Sequence, residues 1–309
     1  MISVIIPAHN AEKTIYRALE SVAIQHAHKE LIVVDDFCTD STMNIVDDFS
    51  RGCNFKVKMF HTNELRPRQK GPTGAPNIPR NIGVSIAEGE YIALLDDDDW
   101  WEPTKLQEQL EVIYLNNADL CSTSFYAHNK VSGTKRLHGN NTGKIVVVKD
   151  MFERFLKRDK SKLTLMSTLL FKREIYPYMD EYFGLTDYLW TAKLLEGRTC
   201  VVIEKPLTNR AVSGFNASYK KFIREITLYE QLMAMAYYAY KYDLDLDHAK
   251  KTTFGSYARY CYLQGEAKEA RQNFRHAPKE TKVLMYYITS FFPFIARWVR
   301  KKFNVWGDN

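Results

Sequence analysis

The N-terminal part of the chain alternates short apolar runs with stretches that repeat apolar residues at helical spacing. The run 2–6 is β-branched and apolar at every position except Ser3, and the segment 15–22 then places apolar residues three or four positions apart. A second pair follows at 31–34 and 45–49, and 91–95 is another apolar run. Because strands joined by helices pair in parallel, this order predicts an α/β fold with a doubly wound, mostly parallel sheet flanked by helices.

Length and composition predict a globular protein of two domains. The chain has 309 residues, of which 45% are hydrophobic and 26% charged, and its formal net charge is only +6. So small an excess of positive charge argues against a dedicated nucleic-acid-binding protein. After residue 214 the strand patterns end and helical spacing continues to Phe303. We therefore expect an α/β domain over 1–214 and a helical C-terminal region over 215–309.

The cysteines and the N-terminus favour a cytoplasmic location. Five cysteines are scattered without the spacing of a zinc site, so we interpret them as reduced thiols. The start MISVIIPAHN has no basic region and its apolar run ends at Pro7, which is typical of a strand and not of a signal peptide. The longest apolar stretch, 283–296, is shorter than the roughly 20 residues that span a bilayer.

The C-terminal segment 283–306 places aromatic side chains such as Trp298 and Phe303 beside the cations Arg300 and Lys301. This composition is typical of an interfacial helix on an anionic membrane, which predicts a peripheral protein on the inner face of the membrane. The alternative is a helix that packs on the α/β domain or on a second subunit, and in the second case the protein would be a homo-oligomer.

Acidic residues crowd the ends of two predicted strands. Asp35 and Asp36 follow the run 31–34, and four aspartates at 96–99 follow YIALL. Open parallel sheets bind ligands at the carboxyl ends of their strands, and charges this close repel unless they are neutralised. Mg²⁺ or Mn²⁺ held by carboxylate oxygens would neutralise them and keep positions for a nucleotide diphosphate. The alternatives are a solvated acidic turn for 96–99 and a helix cap for Asp35 and Asp36.

Three segments together resemble a known family. They read VIIPAHN, IVVDDFCTDST and PRNIGVSIAEGEYIALLDDDDWW, in that order. Their order, spacing and strand context resemble the inverting family 2 glycosyltransferases of the GT-A fold, whose usual text is roughly VIIPxYN, VDDGSxDxT and ARNxGxxxAxGEYIxFLDxDD. The resemblance is dense over residues 1–120 and thin over 184–218. It implies a nucleotide-sugar donor, most commonly a UDP-sugar, and a divalent metal ion, Mn²⁺ or Mg²⁺.

The resemblance also implies roles for individual residues. The nucleotide-binding residues would be Pro7, Ala8, Asp35, Asp36, Arg80, Asp96 and Asp97. Pro7 and Ala8 would shape the floor of the pocket, Asp36 with Asp35 would hold the base, and Arg80 would lie near the base or the diphosphate. Asp96 and Asp98 stand at the outer positions of the family's DxD motif, which makes Asp98 the direct metal ligand. Asp96 would face the ribose or the donor sugar and serve as a second metal ligand.

An inverting transfer needs a base that takes the proton from the attacking hydroxyl. The family carries it in an ED motif, and the matching text here is GLTDYLW, which makes Asp187 the candidate base. Thr186 stands where the family has Glu, and the alternative for Asp187 is a plain residue at a helix start. Arg210 and Ser218 resemble a segment that closes over the donor phosphates, although Val212 and Ser213 stand where its histidine is expected.

The long polar stretch 62–79 contains several prolines and glycines, so it predicts a loop. Its cations Arg66, Arg68 and Lys70 could meet the donor diphosphate or an anionic acceptor, or they could lie on a solvated surface.

Three functions follow from these patterns. The first is an inverting glycosyltransferase, of the hexosyl or N-acetylhexosaminyl type, that acts in cell-envelope polysaccharide synthesis on a glycan or lipid-linked acceptor. The second is a nucleotidyltransferase on a related sheet, although its Gly-rich loop after the first strand is missing from the sequence. The third is a catalytically silent module that binds glycans or membranes, a possibility kept open by Thr186.

Overall fold

The computed structural model describes residues 1–62, 77–130, 132–158, 165–179, 187–212, 221–280, 284, 286–288 and 290–291, with backbone alone for 221–223. The chain divides into two compact units. The first unit comprises residues 1–129, 134–152 and 160–212, and the second comprises 130–133, 153–159 and 213–309.

One mixed sheet forms the centre of the first unit. In the described part of the chain its strands are β1 (Ile2–Ala8), β2 (Lys29–Asp35), β3 (Lys56–His61), β4 (Tyr91–Leu94), β5 (Trp100–Trp101), β6 (Leu120–Asn129), β7 (Lys135–His138), β8 (Ile145–Val148), β9 (Leu170–Lys172) and β10 (Cys200–Val212). Their order across the sheet is β3-β2-β1-β4-β9-β6-β10-β5, while β7 pairs with β6 and β8 with β10.

The long strands of this sheet run in the same direction. Strands β3, β2, β1 and β4 pair in parallel, and so do β6 and β10. The short strand β9 lies antiparallel to both β4 and β6, so these two strands also point the same way. Every residue of β1 and β2 is buried, as expected for central strands covered on both faces. The carboxyl ends of all the long strands therefore meet at one edge.

Helices cover both faces of the sheet. The helices in the first unit are α1 (Ile15–Ala23), α2 (Thr42–Ser50), α3 (Asn77–Ser85), α4 (Lys105–Leu115) and α6 (Asp187–Leu195), while α5 (Met151–Leu156) begins in the first unit and continues into the second. Helices α1 and α4 pack Leu19 and Leu106 into one core with Val4 of β1. Helix α3 approaches the side of β1 on which Ile5 lies. This is the doubly wound arrangement that the alternating sequence predicts.

The structure differs from the sequence-based expectation at two segments. The segment STLLF at 167–171 predicts a strand, but Met166–Thr168 forms a 3-10 turn and β9 begins only at Leu170. The turn forms because its polar groups have partners: Trp101 Nε1 donates to the Ser167 carbonyl oxygen at 2.7 Å. Strand β10 was not predicted, because Pro206 and the polar pair before it interrupt its apolar pattern. The register with β6 shifts on either side of Pro206.

The second unit is helical in the residues described. Its helices are α7 (Lys221–Tyr242), α8 (Asp247–Leu263) and α9 (Ala267–Phe274). Their core includes Leu228 of α7, Tyr257 and Cys261 of α8, and Phe274 of α9. All five cysteines of the chain are free thiols. Among the described helices, none combines the length and the apolar composition needed to cross a bilayer.

Candidate active site

The ends of three neighbouring strands bring the acidic segments together. In the sheet β2, β1 and β4 are adjacent, with Ala8 opposite Asp35. His9 follows β1 and connects the two acidic segments. Its backbone N donates to Asp97 Oδ2 at 3.0 Å, and its Nδ1 lies 2.6 Å from the carbonyl oxygen of Asp36. The acidic residues after β2 and β4 thus lie on either side of the loop that follows β1.

Asp35 and Asp36 have different surroundings. The Asp35 carboxylate accepts a hydrogen bond from Cys38 N at 2.7 Å and lies 2.8 Å from His61 Nδ1, so both of its oxygens have protein partners. Asp36 is half-buried, and its backbone N donates to the carbonyl oxygen of Ala8 at 2.8 Å. Asp35 therefore shapes the loop, whereas Asp36 stands at the edge where a base could bind.

Asp99 is the buried member of the four aspartates. It is 1% exposed, accepts from Ser167 Oγ at 2.7 Å, and accepts from the backbone N of Ala211 at 3.0 Å. Burial raises the pKa of Asp99 well above its ordinary value, and the charges of Asp96 and Asp98 raise it further. Asp99 connects the end of β4 to β10 and has no open face for a ligand.

The other three aspartates are half-buried and crowd one another. Burial raises the pKa of Asp97 to about 7, the hydrogen bond from His9 opposes this, and Asp98 and Asp96 add to the increase. The backbone at Asp98 is held by Arg17, whose Nη2 donates to the Asp98 carbonyl oxygen at 3.0 Å. Asp96 and Asp98 thus place negative charge beside a carboxyl that is already hard to ionise because it is buried.

Arg80 joins the acidic edge to Asp187. Arg80 Nη2 lies 2.6 Å from Asp96 Oδ1, and Nη1 lies 3.6 Å from Asp187 Oδ1. Only 4% of the Arg80 side chain is exposed, compared with 51% for Asp187. The surrounding protein desolvates Asp187 and raises the pKa of its carboxyl; Arg80 opposes this shift and Asp96 adds to it. The first residue of α6 and the end of β4 therefore share one buried guanidinium.

Arg210 adds a second positive charge near these carboxylates. It lies on β10, is half-buried, and lowers the pKa of both Asp99 and Asp187 against the dominant effect of burial. Ser218, its predicted companion, lies outside the described residues, as do Arg66, Arg68 and Lys70 and most of the segment 283–306.

The donor set at this edge suits a hard divalent cation. Its aspartates offer carboxylate oxygens alone, the ligand type that Mg²⁺ and Mn²⁺ prefer. In the described part of the chain, these aspartates do not bring three ligand atoms within 4.8 Å of one another; the group that does is Cys261, Glu266 and Glu269 of the second unit. Asp96 and Asp98 could therefore supply two ligands to a metal ion at most, and oxygens of a bound nucleotide would complete its coordination shell.

Three residues that sequence reasoning missed take part in the site. His9 links Asp36 to Asp97, Ser167 binds Asp99, and Arg17 stacks on Trp100 at 3.5 Å while holding the backbone of Asp98. His9 belongs to the quoted segment VIIPAHN, so its position beside the strand end could have revealed it. No sequence signal marks Ser167, because its role depends on the turn before β9.

Solved structures share the fold of this chain over most of its length. The crystal structure of Staphylococcus aureus TarS 1–349 in complex with UDP superimposes with a TM-score of 0.62 at 20% identity, covering 97% of this chain and 91% of that one. The structure of GalNAc-T7 with UDP, GalNAc and Mn²⁺ gives a TM-score of 0.51 at 17% identity, covering 74% of this chain and 48% of that one. The expected GT-A type fold is thereby confirmed.

Sequence comparison places the chain within that class. The family model described as glycosyl transferase family 2 matches residues 3–176. The chain belongs to this family, as its three quoted segments indicate.

Two curated relatives are similar over part of their length. The poly(ribitol-phosphate) beta-N-acetylglucosaminyltransferase TarS of Staphylococcus aureus MW2 is 29% identical over 194 residues, which cover 62% of this chain and 32% of that protein. The UDP-Glc:alpha-D-GlcNAc-diphosphoundecaprenol beta-1,3-glucosyltransferase WfgD of Escherichia coli is 34% identical over 163 residues, which cover 48% of this chain and 60% of that protein. The chain thus matches less than two thirds of the length of either relative.

Proposed function

We propose that the protein is an inverting glycosyltransferase that moves a sugar from a UDP-sugar to a hydroxyl group of an acceptor. The observation that carries this proposal is the meeting of Asp96 and Asp187 at Arg80, with distances of 2.6 and 3.6 Å. Asp96, which follows β4 at the edge where the nucleotide sugar would bind, thus lies near Asp187, the first residue of α6. An inverting transfer needs a base on the face of the sugar opposite the leaving diphosphate, and Asp187 is near enough to the acidic edge to take that place.

In this proposal the donor lies along the edge formed by β2, β1 and β4. Pro7 and Ala8 form the floor, Asp36 holds the base with Asp35 supporting its loop, and Asp96 and Asp97 face the ribose or the sugar. Asp98 and Asp96 would hold Mn²⁺ or Mg²⁺, which supplies positive charge to the diphosphate when bound. The oxygen-only donor set supports this, and so does the Mn²⁺ named in the structure of GalNAc-T7.

Asp187 is the proposed base. The acceptor oxygen forms a bond to the anomeric carbon while the bond from that carbon to UDP breaks, and the configuration inverts. Asp187 takes the proton that the acceptor hydroxyl loses. It must be ionised to do so, and Arg80 and Arg210 both favour its charged form. Arg210 and Ser218 are proposed to close over the departing phosphates.

The acceptor class and location are also part of the proposal. TarS and WfgD are named for acceptors that are a poly(ribitol-phosphate) and a diphosphoundecaprenol-linked sugar, which supports a glycan or lipid-linked acceptor of the cell envelope. Such acceptors agree with a cytoplasmic protein bound through 283–306 to the inner face of the membrane. A homo-oligomer built on the same segment is the alternative, and liposome pelleting of the chain with and without 291–309 distinguishes the two.

The test is to screen UDP-sugars with Mn²⁺ and to analyse the released product. Release of UDP supports a glycosyltransferase, whereas release of pyrophosphate from a nucleoside triphosphate and a sugar phosphate would assign a nucleotidyltransferase. Binding of UDP without turnover on any donor and acceptor would assign a silent binding module. The Asp187→Asn variant serves as the negative control for turnover.

A further inference from the structure

The Arg80 side chain is enclosed by protein and incompletely bonded. Its exposed fraction is 4%, and its one hydrogen bond between side chains in the described residues goes to Asp96. Nε and Nη1 are buried without a hydrogen-bond partner among the residues described. At 3.6 Å the contact from Nη1 to Asp187 is an ion pair but is too long for a hydrogen bond.

This enclosure makes Arg80 unsuited to bind the donor directly. A group that recognises a diphosphate presents its N–H donors to the open site, whereas Nε and Nη1 of Arg80 have almost no accessible surface. The expectation that Arg80 contacts the base or the diphosphate therefore lacks a geometric basis. What its guanidinium does reach is two carboxylates, Asp96 and Asp187.

Helix α3 holds Arg80 in place. The neighbouring Asn81 accepts hydrogen bonds from Tyr176 Oη at 2.8 Å and from Met179 N at 3.0 Å, and its Nδ2 donates to the Met179 carbonyl oxygen at 2.9 Å. Gly83, one turn further on, packs directly against Ile5 of β1. A buried guanidinium on so constrained a helix can fix the position of a partner, because it cannot itself move far.

We propose that Arg80 is a positioning residue that uses Asp96 as its anchor and holds Asp187 at the place where the acceptor proton is taken. This inference rests on the proposed function. It states that the effect of Arg80 on transfer passes through Asp187 and not through contact with the nucleotide.

The first test is a kinetic double-mutant cycle. Arg80→Gln lowers kcat by about tenfold or more, while KM for the UDP-sugar and Kd for UDP in Mn²⁺ change by less than about threefold. In the Asp187→Asn background the same substitution lowers kcat by less than about threefold further, because the group that it positions is already lost. Arg80→Lys restores part of kcat, since it keeps one charge but cannot reach both carboxylates.

The opposite pattern overturns the proposal. If Arg80 binds the donor, Arg80→Gln weakens Kd for UDP by about tenfold or more in both backgrounds. Equal losses of kcat in the two backgrounds would also overturn it. If Arg80→Gln does not fold, Arg80→Lys is measured in both backgrounds with the same criteria.

The second test does not depend on turnover. If the wild type releases UDP from no nucleotide sugar, the proposed function fails. Thermal unfolding of the wild type, Arg80→Gln, Asp187→Asn and the double variant then tests the interaction of Arg80 with Asp187 by itself. Coupled residues give midpoint shifts that depart from additivity by about 2 °C or more. Additive shifts within about 1 °C would show that Arg80 does not hold Asp187.

Lys172→Gln is the matched control for both tests. Lys172 lies on β9, and its Nζ pairs with Asp119 Oδ1 at 3.3 Å at the start of β6, on the opposite edge of the same sheet. Its loss removes an ion pair from the same unit without reaching the acidic edge. A loss of kcat as large as that of Arg80→Gln would mean that general destabilisation explains both variants.

Discussion

Gly83 of α3 lies against Ile5 of β1 with no space for a side chain between them. A Cβ atom on Gly83 would lie well inside 3.0 Å of Ile5 Cγ2 and 3.3 Å from Ile5 Cγ1. Ile5 is fully buried and β-branched, so it cannot turn away easily. The contact sets the distance between helix and sheet, and Arg80 stands one turn earlier on the same helix.

Gly83→Ala should therefore lower the free energy of unfolding by up to about 2 kcal/mol, because the added methyl group overpacks the contact at a cost of about 1 to 3 kcal/mol. The gain in helix propensity, about 1 kcal/mol, offsets only part of this cost. Urea denaturation measures the change. Gly52→Ala is the control, since a Cβ there meets its nearest atom at an ordinary 3.7 Å. Equal stability of the two variants would contradict the close approach.

Asp98→Ala should remove the Mn²⁺ dependence of UDP binding and leave the protein folded. Asp98 is half-buried, and Ala relieves the charge repulsion with its neighbours, so stability has no reason to fall steeply. Calorimetric titration of UDP with and without Mn²⁺ measures the effect. Asp99→Ala is the informative comparison, because that carboxyl is buried and bonded to Ser167 and Ala211, and its loss should destabilise the fold. An unchanged affinity of Asp98→Ala for UDP in Mn²⁺ would remove Asp98 from the metal site.

Asp187→Asn should keep UDP binding and lose about a hundredfold or more in turnover, since a positioned general base contributes roughly 10² to 10⁴ in rate. The amide keeps the size of the side chain but takes up no proton. UDP release under saturating donor gives the rate, and UDP titration gives the affinity. Turnover close to that of wild type would exclude Asp187 as the base.

Lys105→Met should stabilise the protein, and more at pH 6 than at pH 9. Lys105 is fully buried beside Trp101, and burial lowers the pKa of its ammonium to about 7. Below pH 7 the folded protein holds a buried charge at full cost. Between pH 7 and the ordinary pKa of lysine the unfolded chain binds more protons than the folded one, so wild-type stability rises with pH and the advantage of Met shrinks.

Denaturation midpoints of both proteins at the two pH values test this. The control is Lys193→Met, at an exposed position of α6, for which we expect a small effect with little dependence on pH. A gain from Lys105→Met that is the same at pH 6 and pH 9 would contradict a lowered pKa in the folded state.

The sheet and its acidic edge could be predicted because they follow from local patterns. The apolar runs identify β1, β2 and β4, and parallel pairing alone brings Asp36 and Asp96 to one edge. The contacts made across the sequence could not be predicted in this way. Arg80 meets Asp187 over a separation of 107 positions, and the distance depends on how α3 and α6 pack. Ser167 stands in a segment whose apolar neighbours predict a strand, and its hydrogen bond to Asp99 depends on the 3-10 turn that forms there instead.

The bonding of Asp99 bears on how variants of this chain would behave. Its carboxyl accepts hydrogen bonds from Ser167 in the turn before β9 and from the backbone N of Ala211 on β10, so it links two segments that are distant in sequence. A change at Asp99 should appear first as poor expression or aggregation, and a change at Asp98 as a folded but inactive protein. Substitutions at two adjacent residues of one acidic motif would then have different effects inside a cell, one on the amount of folded protein and the other on its activity.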